Sequence, residues 1–159
     1  MFKIMIQLGL SFMVFLVSTI VAWYEGSNLL QDTHEWKSTA IFSQWLNGEV
    51  IHSGDILLVD FFIYAAKFFP TFPILMLLSG THLLVLIGYL LFRRSQKGYA
   101  GYLSFFGILF LGISGIVANS PSHDLHTFFN IFFIIGIFLT VAALVRIFRS
   151  NRAKEPINI

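Results

Sequence analysis

The chain has 159 residues, 57% of them apolar and 11% charged, with a formal net charge of only +2 and a mean hydropathy of +0.80. Soluble proteins carry about 25% charged residues, and a small domain leaves much of its area wet, so this composition excludes a water-soluble globule and implies lipid. No cysteine is present, which excludes disulfides, thiolate metal sites and thiol catalysis.

A spanning helix needs about 20 mostly apolar residues, and four stretches qualify: residues 4–23, 73–92, 99–118 and 126–147. The first carries Gln7, Ser11 and Ser18 along one helical face, which reads either as a hydrogen-bonded packing seam or as one wall of a polar pathway. One lysine, about 20 apolar residues and no clear A-x-A site make it an uncleaved first helix rather than a signal peptide.

Residues 24–72 follow, too many for a turn and too few for an independent domain without cysteines. Trp23, Tyr24, Trp36 and Trp45 suit the aromatic belt at a membrane–water interface. Asn47-Gly48 is a turn signal, and residues 38–42 are expected as a short strand, giving a small β-hairpin. Residues 55–69 read as a helix, apolar except for Asp55, Asp60 and Lys67. Asp60 and Lys67 share a face with Tyr64 between them, and so thin a polar stripe suits a helix lying in the interface or packed on the bundle. The segment reads as a structural cap over the bundle mouth, or as a surface for an envelope partner or lipid headgroup built on Trp36, Trp45, Asp60, Tyr64 and Lys67.

The second span can start a turn early, because Pro70 and Pro73 suit a first helical turn better than an interior. His82 then falls near mid-membrane, where it is either a neutral imidazole bonded to a neighbouring helix or a ligand or proton relay. The third span is rich in Gly and Ser, which let backbones approach closely. Between the third and fourth spans, Asn119-Ser-Pro-Ser-His-Asp-Leu-His126 leads on to Asn130. Ser120 suits an N-cap with Pro121 at the first helical position, which sets His123, His126 and Asn130 on one face. This cluster, with Glu25 and His82, reads as a structural polar mouth. It is also a candidate site in which His123 and His126, with Glu25 or Asp124, hold zinc. No cofactor is required by the sequence, and His-x-x-His alone is a weak metal signal.

Charge assigns sides to the connections. Lys3, Arg93, Arg94, Lys97, Arg146, Arg149, Arg152 and Lys154 fall at the N-terminus, the six-residue second connection and the C-terminal residues 148–159, with only Glu155 against them. The other side holds Lys37 and Lys67 against seven acidic residues. The positive-inside rule then gives an all-α, four-transmembrane-helix bundle with both termini cytoplasmic and residues 24–72 as an extracytoplasmic cap.

A long first and short second external loop resembles the claudin-like four-helix proteins in topology, without the paired cysteines of that group. Ser18-Thr19, the string from Trp23 to Ser27, Glu35-Trp36-Lys37 and the string from Asp60 to Phe68 carry a second resemblance. Over residues 7–89 the chain resembles the YjdJ-like group of small, uncharacterised bacterial membrane proteins. That resemblance implies a bacterial plasma-membrane location and transfers no activity. The leading expectation is a non-enzymatic envelope protein acting through its cap, with membrane lipid, an envelope protein or another copy as partner and no role for nucleic acid. A metal-dependent membrane hydrolase is the alternative. A small transporter ranks last, since no span contains an Asp or Glu.

Overall fold

A computed structural model describes residues 2–118 and 125–152. Every regular element among them is helical: α1 (Phe2–Gly26), a 3-10 turn (Ser27–Leu30), α2 (Trp36–Thr39), α3 (Ile41–Asn47), a second 3-10 turn (Ser53–Asp55), α4 (Leu58–Phe68), α5 (Thr71–Leu91), α6 (Gln96–Ala118) and α7 (Leu125–Arg152). Four of these helices, α1, α5, α6 and α7, are long and apolar enough to cross a membrane. Their helical hydrogen bonding runs past the apolar windows into polar flanks. So α1 and α6 start before the expected spans, α5 starts at Thr71, and α7 continues past the expected span end at residue 147 to Arg152.

The expected strand at residues 38–42 is not there. Those residues belong to the end of α2 and the start of α3, and the Asn47-Gly48 signal closes a helix instead of turning a hairpin. Gly48 adopts φ +82° and ψ −143° just after α3, a backbone conformation that glycine reaches without a Cβ penalty, and its N–H closes the last turn on the Gln44 carbonyl. The helix wins because its first turn is capped from a distance. The backbone amides of Phe42 and Ser43 donate to the Asp60 carboxylate, at 2.9 and 2.8 Å, and no local pattern announces a cap seventeen residues away.

The chain divides into two compact units, Met1–His82 and Leu83–Ile159, with the boundary inside α5. In the first unit the end of α1 meets α4 backbone to backbone, since a Cβ at Gly26 would overlap the carbonyl oxygen of Phe61. Leu29, Ile56, Phe61 and Tyr64 form a small apolar core, with Trp36 and Val50 packed against it. Trp36 joins it without stranding its indole N–H, which donates to the Leu29 carbonyl at 2.8 Å. Farther along α1, the Ser11 hydroxyl lies 2.6 Å from His82 Nδ1, and Gly80 admits the Phe15 ring.

The second unit is built on antiparallel packing of α6 against α7. Gly107 leaves room for Thr140 and the Gly136 carbonyl, while Gly136 leaves room for Leu111, the small-residue contact that spanning helices use. Phe110 and Phe132 pair at 5.7 Å, and near the other end the Arg146 guanidinium lies 4.5 Å from the centre of the Tyr99 ring. The remaining turns of α5 join through Tyr99 and Tyr102, whose hydroxyls donate to the Val85 and Leu84 carbonyls. Gly88 lies against the Tyr102 ring.

Candidate functional site

Polar chemistry in the first unit concentrates between α1 and α5. Asp60 is fully buried on the first turn of α4, and besides the two α3 amides it accepts a short hydrogen bond from the Ser43 hydroxyl. Ser43 Oγ in turn accepts the Leu57 amide at 2.8 Å, one of the free donors at the start of α4. Each helix therefore caps the other. A carboxylate buried without partners would be very costly; here three donors and the N-terminal end of α3 supply favourable partial charge.

One and two turns along α4 stand Tyr64 and Lys67. The Tyr64 hydroxyl donates to Asp32 at 3.3 Å, and burial, with Asp32 beside it, raises the phenol above its ordinary value. Lys67 Nζ bonds Glu35 Oε2 at 2.7 Å, while the Ser38 and Thr39 hydroxyls donate to the same oxygen. Lys67, then Ser38 and Thr39, hold the Glu35 carboxyl down at about 2. A further carboxyl, Asp55, accepts the His52 and Ile51 amides, which lower it from its usual value. The stripe of Asp60, Tyr64 and Lys67 is thus turned inward and fastens α4 to the segment running from Asp32 to Ser43.

Among the described residues, two open surfaces lie on the segment between α1 and α5. One is a cleft of about 370 Å³ lined by Thr33, Trp36, Lys37, Gln44, Gly48, Glu49 and Val50. Gln44 is fixed across it by a 2.6 Å hydrogen bond to the Trp36 carbonyl, and Lys37 and Glu49 are exposed. The other is apolar: Trp45 is 84% exposed, with Ile41, Phe42 and Leu46 of α3 and Leu58 and Val59 of α4 also exposed.

Of the residues expected at a polar mouth, Glu25 stands one residue before the end of α1, and its Oε2 is buried without a hydrogen-bond partner among the described residues. His82 is bonded to Ser11, Asn130 is exposed on α7, and His126 lies in the first turn of that helix. Asn119, His123 and Asp124 lie outside the described residues, and with them two of the four candidate zinc ligands. Among the described residues no three His, Asp or Glu side chains gather as a metal site. Sequence reasoning missed Ser43, because a lone serine at the start of a short helix carries no local sign of a distant carboxylate. It also missed the Lys37–Glu49 cleft, whose walls meet only through the fold.

A family model described as a domain of unknown function, DUF4306, matches residues 5–92. The chain belongs to this family. The matched stretch takes in α1, the capped segment and α5, and stops before α6. The chain is also 41% identical over 91 residues to the uncharacterized protein YjdJ of Bacillus subtilis (strain 168), an alignment covering 56% of this chain and 84% of that protein. No solved structure matches the chain.

Proposed function

We propose that this DUF4306 protein is a multi-pass plasma-membrane protein. Its four helices bundle with both termini in the cytoplasm, and it works without catalysis through residues 24–72 as an extracytoplasmic cap. Eight of the ten basic residues fall on the side assigned to the cytoplasm, which supports the orientation. The cleft between Trp36 and Glu49 carries the functional reading. Lys37 and Glu49 give it one charge of each sign, and the Asp60–Ser43 and Lys67–Glu35 contacts brace its walls. A braced, water-facing cleft with an aromatic wall suits contact with a polar segment of an envelope protein. Photo-crosslinking residues placed at Lys37 and Glu49 in living cells should each give the same discrete protein adduct, whereas one at exposed Gln31 should not. No adduct from either cleft position would refute the reading.

A second reading rests on the histidine pair His123 and His126 with Asp124 beside them in the sequence. In it these residues hold zinc for a membrane hydrolase. Metal analysis of the purified protein and of the His123→Ala and His126→Ala variants decides it, and a metal-free wild type would remove it.

A further inference from the structure

The apolar face of α3 raises a separate question, because the cleft does not use it. At about 100° per residue, Ile41, Phe42, Trp45 and Leu46 occupy one side of α3, while Ser43 and Gln44 point to the other. The second side is accounted for by the Asp60 contact and the cleft. The first side is exposed throughout and carries no charge.

What lies beside this face identifies its occupant. Ser43 and Phe42 are hydrogen-bonded to the start of α4, where Leu58 and Val59 are also exposed. Leu58 and Phe62 in turn form a groove of about 250 Å³ with Thr19, Ile20 and Trp23 of α1. Ile20 is 61% exposed and Trp23 47%, on the last turns of a helix with the length and apolarity of a span. Exposed apolar side chains thus occur on the α1 span, in the groove it shares with α4, and on α3, and Trp23 and Trp45 are the aromatic types that favour the interfacial zone. A protein partner would need its own apolar patch here, whereas lipid already surrounds the adjoining surface of α1.

We infer that α3 is seated in the lipid leaflet next to the end of α1. Its Ile41–Phe42–Trp45–Leu46 face reaches the acyl-chain boundary, and an acyl chain fills the groove between α1 and α4. This gives the cap a fixed rotation, with the α3 face in lipid and the cleft side in water. The inference rests on residues 24–72 being membrane-proximal, as proposed above, but not on the cleft having a protein partner.

The absence of native cysteine makes the test clean. Single-cysteine variants Trp45→Cys, Leu46→Cys and Lys37→Cys, each carrying an environment-sensitive nitrobenzoxadiazole probe, are reconstituted at high dilution in phosphatidylcholine–phosphatidylglycerol vesicles. Lipids with a spin label near the headgroup end of the acyl chain should quench positions 45 and 46 strongly and position 37 weakly, and aqueous iodide should reverse the order by several-fold. Iodide quenching at 45 equal to that at 37 would overturn the inference, because the face would then be in water. Protection at 45 from both quenchers would overturn it in favour of a second copy of the chain. Loss of cleft crosslinks in cells would leave these outcomes untouched, so failure of the two proposals is distinguishable.

Discussion

Asp60 accepts hydrogen bonds from Phe42, twice from Ser43, and sits at 0% exposure. Hydrogen bonds to charged groups contribute about 1.5–3 kcal/mol each, and a stranded buried donor costs about 1–3 kcal/mol. Asp60→Ala should therefore destabilise the segment by about 3 kcal/mol or more and expose α3 to protease in detergent micelles. Asp60→Asn, which keeps an acceptor oxygen, should lose less. Limited proteolysis followed by mapping of the cut sites reads both variants. Glu35 gives a pH signature. Its folded carboxyl lies at about 2 against an ordinary 4.5, so its contribution to stability is fully present above about pH 4.5. That contribution is lost as pH falls through about 2. Lys67→Met removes the largest cause, so the loss should be complete at a pH nearer 4.5 and the total contribution should shrink. Trp36 fluorescence followed through an acid titration checks the order of the two midpoints. The stripe of Asp60, Tyr64 and Lys67 was legible in the sequence as a shared face. Its inward direction was not, because the donors that satisfy it lie in segments fixed only by tertiary contact.

At the level of elements, the contact between Gly26 and Phe61 joins the end of α1 to α4 with no side chain between them. Adding a methyl group there must push backbone apart, and overpacking of this kind costs about 1–3 kcal/mol. Gly26→Ala should loosen the seating of α4 while leaving α6 and α7 unaffected. Amide hydrogen exchange should accordingly rise in α4 and stay level around Gly107 and Gly136. The same comparison shows what a single sequence can reveal about helices. Length and apolarity found all four long helices, because a run of about 20 apolar residues has few other uses. The short helices were harder. Residues 38–42 mix Ser, Thr, Ile and Phe, and so short a run does not separate strand from helix by periodicity; the deciding contacts came from Asp60 and from Gly48 at positive φ.

For the whole molecule, the family match and the division into units nearly coincide: residues 5–92 define the family, and the first unit ends at His82. The matched part contains two long apolar helices with the segment between them, flanked by Lys3 on one side and Arg93, Arg94 and Lys97 on the other. Each of those basic groups lies close to the end of a span, where the positive-inside rule acts most strongly. In the orientation proposed above, insertion of α1 and α5 would be specified twice before α6 begins, and the α6–α7 pair, followed by Arg149, Arg152 and Lys154, would repeat the instruction. A chain ending after residue 95 should then adopt the same orientation as the full chain. Single cysteines substituted for Glu49 or Gln31 should react with a membrane-impermeant maleimide in intact bacterial cells whose outer barrier has been opened. A cysteine at Arg94 should react only after the inner membrane is broken. Replacing Lys3, Arg93 and Arg94 together by glutamine should scramble this pattern in the truncated chain and disturb it less in the full one, where the basic residues after α7 still act. Equal scrambling in both chains would mean that the second pair of helices carries no orientation signal of its own.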